Sequence, residues 1–392
     1  MASLLCCAAC EACTCACSLT KCLFKDGSLG KKAAAAVYLI IFIVMSFVAF
    51  ILQHWGAPQI DFYSFHVGCE DIPNIDQQAC KGENAVYRIC IGMSIWFVFI
   101  GLISLCTHRV HRGLWGIKIL TLLVLTSGLF FTPIVGQPVY VQFARVISGI
   151  FLVSQIVAFI DVAYRWNTFF VEKAYDDYDG ENKTWLTLAL LFCAFIMIGT
   201  IAGIIFLYIE YNNCTRQTIF TTISTILVIG TTLLQLHTHD TDSSLLTSCI
   251  VGLYVIYLCW VAVSSDECNP DEPSNQQMIL GCLITTCSLA WTCYSVGTQD
   301  VYSELGGDEE DPEDTEDSED SEDPQDHKSI GLFHGIMAIG SIYISMLLTK
   351  WGTTSGHYSD AQMWVSIVSQ WVSIIIYIWT LIAPRICSQR DF

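Results

Sequence analysis

Ten apolar runs, each bounded by polar or turn residues, divide the chain: Ala33–Leu52, Ile89–Cys106, Leu114–Val135, Val141–Val162, Trp185–Tyr208, Thr218–Leu236, Leu245–Val263, Met278–Val296, Ile330–Leu348 and Met363–Ala383. Each has the length a helix needs to cross a hydrocarbon core of about 30 Å. None shows the apolar/polar alternation of a barrel strand, and lipid leaves no other way to satisfy a spanning backbone. The pattern therefore predicts an all-α, polytopic membrane protein with ten transmembrane helices. The sixth run is the most diluted, by Thr221, Thr222, Thr225, Thr231 and Thr232. Threonine hydroxyls can bond back to their own helix, so it is kept as a span.

Composition agrees with that pattern: 53% of the 392 residues are hydrophobic and 14% charged, with a mean hydropathy of +0.52. A soluble enzyme is excluded on these figures. The net charge of −19 is local, because residues 298–327 hold 15 of the 37 acidic residues and no Lys or Arg. Without them 22 acids face 18 bases, so nothing in the charge supports nucleic-acid binding. The acidic run from Gly306 to Asp326 repels itself and is expected to be a disordered connector, with a docking or phosphorylation role as the alternative.

An even number of spans puts both termini on one side. Placing the N-terminus in the cytoplasm puts 13 of the 18 basic residues inside, among them Lys31, Lys32, Arg109, Arg112, Arg165, Lys173 and Arg385. Lys81, Arg88, Arg145, Arg216 and Lys350 fall outside. The apolar, cysteine-rich N-terminal stretch has its lysines after it rather than before it and offers no clear cleavage site, so no cleaved signal peptide is expected. The resulting divisions are a cytoplasmic Cys-rich segment 1–32, eight spans in 33–297, the acidic loop 298–329, two spans in 330–384 and a cytoplasmic tail 385–392.

Cysteine chemistry follows compartment. Of the N-terminal cluster, Cys6, Cys7, Cys10 and Cys13 are S-acylation candidates, with inert thiols as an equal alternative. The cluster has no histidine and no paired C-x2-C module, which argues against a metal site. His237, His239, Asp240 and Asp242 read as a solvated turn, so no metal and no cofactor is expected. Cys69, Cys80, Cys214 and Cys268 alone lie in outward loops, and the expected disulfides are Cys69–Cys80, which closes a short ring, and Cys214–Cys268. Two sequons are present: Asn213 should face the lumen and is the glycosylation candidate, whereas Asn182 should face the cytoplasm.

Ionisable and polar groups at membrane depth are informative because they are costly there. Lys118 and Arg145 lie near helix ends and are expected to snorkel. Asp161 can pair with Arg165 at i, i+4, while His334, Gln155 and Gln370 should face helix neighbours or a wet groove. Gly199/Gly203 and Gly331/Gly335 permit close helix approach. No nucleophile elbow, P-loop, HExxH or dinucleotide fingerprint occurs in a usable loop, so bond-making catalysis is not expected.

Several segments resemble the serine incorporator family, over essentially the whole chain. They are Leu245–Trp260 followed by Cys268-Asn-Pro270, Trp364–Trp371, Tyr377–Pro384 and the terminal Arg390-Asp-Phe392. Upstream, Ala85–Arg88, His111–Trp115 with Lys118, and Ile160–Asn167 are similar to the family's second, third and fourth helices, and the cysteine-rich N-terminus also fits. The acidic loop and Arg165 depart from the family pattern.

The resemblance implies two helical subdomains with long tilted helices, the fourth and eighth, crossing between them. It also implies a part in phosphatidylserine and sphingolipid metabolism, through serine incorporation or nonselective phospholipid scrambling. Scrambling needs only a path where a headgroup leaves water without its full transfer penalty. Asp161, Gln155, Trp166 and Asn167 are placed on that path. Its partners are membrane phospholipids. The alternatives are a scaffold, whose partners would be lipid-synthesis enzymes, and a serine transporter, against which the scarcity of Gly/Pro breaks in the spans argues. Self-association is left open.

Overall fold

A computed structural model describes residues 30–56, 77–106, 108–132, 137–175, 183–212, 214–237, 245–266, 268, 275–305, 324–352 and 360–386. Ten long helices cover almost all of it: α1 (Lys31–Ile51), α2 (Gln77–Cys106), α3 (Trp115–Phe131), α4 (Gln137–Tyr175), α5 (Lys183–Glu210), α6 (Thr215–His237), α7 (Leu245–Ser264), α8 (Asn275–Leu305), α9 (Pro324–Leu348) and α10 (Asp360–Ile386). A π-helical turn, Leu52–Gly56, ends α1, and a short helix, His108–Arg112, precedes α3. Nine of the ten are long and apolar enough to cross a membrane, and α3 is a shorter apolar helix of 17 residues. The ten expected spans each have their helix.

The helices pack as two groups. In the first, α2 lies along α9 and both meet α1, with α3 on α2 and α8 on α1 and α9. In the second, α7 is surrounded by α5, α6 and α10. Helix α7 has the composition for that place, since apolar residues lie all round it and nearly all of its side chains are buried. Helix α4 joins the groups, touching α9 and α8 on one side and α10, α7 and α5 on the other. At 39 residues it is about 58 Å long, nearly twice the thickness of a hydrocarbon core, so it must tilt or project. The implied eighth crossing helix is different, because α8 packs mainly with the first group and α4.

Several boundaries move relative to the hydropathy pattern. Helix α2 begins twelve residues before the apolar run, and its polar first turns carry Glu83, Asn84 and Arg88, all buried. Close approach makes this possible: a Cβ on Gly82 would lie 2.5 Å from the carbonyl oxygen of Gln53. The acidic connector is shorter than expected at both ends, since α8 continues to Leu305 and α9 begins at Pro324. Extending a formed helix is easy, and proline suits the first position of α9. The threonine-diluted sixth span is a regular helix in which Thr222, Thr225, Thr231 and Thr232 donate to carbonyls one turn back.

Large apolar residues such as Phe47, Phe131, Phe195, Ile209 and Ile375 are exposed on the periphery, where acyl chains replace water. The polar residues of the spans are mostly turned inward. Gln370 donates to Ser224 Oγ (2.8 Å) and to the Val255 carbonyl (3.2 Å), tying α10 to α6 and α7 near their midpoints. Tyr377 donates to Gln235 Oε1 at 3.0 Å. One glycine of each expected packing pair makes the close contact: Gly203 approaches Ile256 and Gly331 approaches Leu105, whereas Gly199 and Gly335 face open space.

One end of the bundle is marked by a disulfide, Cys214–Cys268, as expected from their loops. There Arg216 donates to both oxygens of the buried Asp266, with Nε at 2.9 Å, and lies 3.9 Å from Asp360. Cys80 is also disulfide-bonded. Cys69, Asn213, Asn182, the N-terminal Cys6, Cys7, Cys10 and Cys13, and the turn residues His239, Asp240 and Asp242 lie outside the described residues.

Candidate functional site

Helices α4 and α8 run side by side in the same direction, away from the disulfide end, and polar contacts recur along their seam. Gln155 of α4 donates to Thr285 Oγ1 (3.3 Å) and Ser288 Oγ (3.4 Å) of α8, and its carbonyl accepts from Tyr254 of α7 (3.1 Å). Farther along, Asp161 accepts from Arg165 Nε at 3.2 Å and from the indole N–H of Trp291 at 2.7 Å. The Arg165 guanidinium also lies 5.9 Å from the Trp291 ring centroid. Asp161 and Arg165 are 38% and 32% exposed, which leaves the pair open to the surroundings.

The four residues assigned to a path do not form one surface. Gln155 is 1% exposed and its amide is fully engaged, so it is a buried strut of the seam rather than a lining residue. Asp161 opens on the α8 side, but Trp166 turns to α5, where its ring lies 5.6 Å from that of Phe192. Asn167 is half-buried beside it. Sequence spacing predicted Asp161–Arg165 and could not predict Trp291, which is 130 residues away.

At the disulfide end the seam opens into a crevice of about 510 Å³, counting its mouth. Apolar walls come from Leu152, Leu258, Met278 and Leu347, and polar groups from Gln277, Lys350, Trp351, Gln362 and Ser366. Lys350 and Trp351 belong to a tight turn after α9 in which Lys350, Trp351 and Gly352 all have positive φ (46°, 64° and 74°). Arg145 holds this turn by donating to the Trp351 carbonyl at 2.9 Å. Arg145 therefore does not snorkel as expected; a carbonyl freed by the left-handed turn takes the place of water.

Lys118 is the second departure from snorkelling. It is 2% exposed, donates to the His111 carbonyl at 3.1 Å and sits 4.1 Å from the Trp115 ring centroid. The aromatic face and carbonyl supply what water would have. Around it, His111 and His334 share a 3.1 Å hydrogen bond and Tyr38 stands edge-on to His334 at 4.7 Å. This cluster lies wholly inside the first helix group, at the end opposite the disulfide. No group of three or more potential metal ligands occurs among the described residues.

A helical bundle with ten apolar helices, polar groups turned inward and an apolar periphery is a multi-pass integral membrane protein. The family model described as serine incorporator (Serinc) matches residues 3–390, and the chain belongs to that family. It is 27% identical over 376 residues to a probable serine incorporator of Nematostella vectensis, covering 79% of this chain and 81% of the relative. It is also similar to serine incorporator 3 of Bos taurus (24% identical, 96% of this chain and 97% of the relative) and to human serine incorporator 2 (25% identical, 100% and 98%).

Proposed function

We propose that the protein moves phospholipids between leaflets without an energy source, through opening of the α4–α8 seam, and that this supports phosphatidylserine and sphingolipid metabolism. The supporting observation is the distribution of polar groups. From Thr285 to Trp291 of α8, about 9 Å of helix rise, side chains carry polar partners on α4, and toward the disulfide end Gln277 pairs with Ser264 of α7, so these contacts lie in a junction between helix groups rather than inside one. A headgroup entering an opened seam exchanges with these partners while its tails stay in lipid. No covalent chemistry is required. The family's name favours a place in serine-lipid metabolism, and the basic-residue asymmetry favours cytoplasmic termini, with the disulfide end facing the oxidising side of an endomembrane or the plasma membrane.

Reconstitution of the purified protein into vesicles, with labelled-lipid flipping and serine uptake measured side by side, tests this reading. Flipping without nucleotide or ion gradient, and no serine accumulation, is the expected result. Serine uptake without flipping would assign a transporter, and neither activity would assign a scaffold.

A further inference from the structure

The crevice at the disulfide end has polar groups that the fold does not use. The indole N–H of Trp351, the hydroxyl of Ser366 and the side-chain carbonyl of Gln277 have no protein hydrogen-bond partner. All three residues are at least nine-tenths buried, at 1%, 0% and 6% exposure, and all three line this crevice. Polar atoms so placed normally have partners. The amide nitrogen of Gln277 is committed to Ser264, which leaves its carbonyl oxygen as a buried acceptor with nothing to accept from. The three residues come from α8, the turn after α9, and α10, so their convergence is a property of the assembled fold.

The character of the lining selects a ligand. Two donors on the floor and the Lys350 ammonium at the rim call for an acceptor-rich group. Lys350 also faces the buried carboxylate of Glu83, but none of the residues that line the crevice is acidic. Apolar walls beside the donors suit a molecule that is polar at one end only. The crevice opens where α8 and α10 begin and α9 ends, the level at which headgroups lie.

We propose that this crevice is a binding site for the phosphodiester headgroup of a phospholipid from the leaflet at the disulfide end. Trp351 and Ser366 donate to phosphate oxygens, Lys350 balances the phosphate charge and Gln277 accepts from the headgroup or glycerol. The space open to water-sized groups, about 30 Å³, has room for one or two oxygen-sized groups. The phosphate oxygens reach the floor and the rest of the headgroup stays in the mouth. The site deepens the seam reading by giving the seam a loading end, yet binding here does not require that lipids cross.

Native mass spectrometry of the detergent-purified full chain tests the site with three probes: dioleoylphosphatidylcholine, dioleoylglycerol and inorganic phosphate. Retention of the phosphatidylcholine adduct, little retention of dioleoylglycerol and no displacement by phosphate are expected. Trp351→Phe with Ser366→Ala should lower adduct retention about tenfold, Lys350→Ala should lower it as well, and the lipid-facing Ile375→Ala should not. If Trp351→Phe fails to fold, Ser366→Ala and Lys350→Ala carry the test. Equal retention of dioleoylglycerol would remove the phosphate from the account, and displacement by inorganic phosphate would make this a free-anion site. Unchanged retention in the crevice variants would place the lipid elsewhere. A protein that keeps its adduct but flips no lipid overturns the seam reading and leaves this site standing.

Discussion

Two of the regions that hold polar side chains at membrane depth differ in who satisfies them. In the His111–Lys118–Tyr38–His334 cluster every side chain is at most 2% exposed, and its partners come from one helix group. Along α4–α8 the polar contacts join two groups, and at Asp161 and Arg165 about a third of each side chain remains open. A polar residue at depth is thus not evidence of a path in itself. The histidine cluster behaves as a fastening, whereas the seam has contacts that can be exchanged for those of a ligand.

The comparison breaks if the fastening proves to govern transport. Tyr38→Ala removes a ring in contact with Trp96, Trp115, His111 and His334, so it should cost about 3–5 kcal/mol of stability. Thermal unfolding in detergent would read this loss, and flipping per folded molecule should be unchanged. Gly82→Ala should cost about 1–3 kcal/mol, because its Cβ meets backbone rather than a flexible side chain. It too should spare flipping.

Seam variants should show the reverse pattern. Asp161→Asn keeps shape and loses the charge that Arg165 and Trp291 address, so flipping should slow about tenfold, the effect of about 1.4 kcal/mol on a barrier. Stability should change little, since a half-exposed pair one turn apart contributes under about 1 kcal/mol. Arg165→Gln should have the smallest effect, within about twofold on flipping, because Asp161 keeps its bond to Trp291. A larger loss in Arg165→Gln than in Asp161→Asn would move the functional charge from the carboxylate to the guanidinium.

The spans were readable because lipid enforces a length and a composition, and even the threonine-rich α6 obeyed that rule. The start of α2 was not readable, since Glu83, Asn84 and Arg88 look like loop residues until other elements bury them. Likewise the Asp161–Arg165 pair follows from local spacing, but Trp291 arrives from another helix. Lys118 and Arg145 show the same limit from the other side. Proximity to a helix end suggests water as the partner, and only the assembled fold reveals the carbonyls and rings that replace it.

The seam is tested most directly by the double variant Gln155→Leu/Asp161→Asn in reconstituted vesicles. Its neighbours keep backbone partners, with Tyr254 on the Leu152 carbonyl, Thr285 on that of Gly281 and Ser288 on that of Thr285, so the protein should stay folded and monodisperse. Lipid flipping slowed by at least about tenfold in a folded protein is the predicted result. Flipping at the unmodified rate would contradict the α4–α8 path.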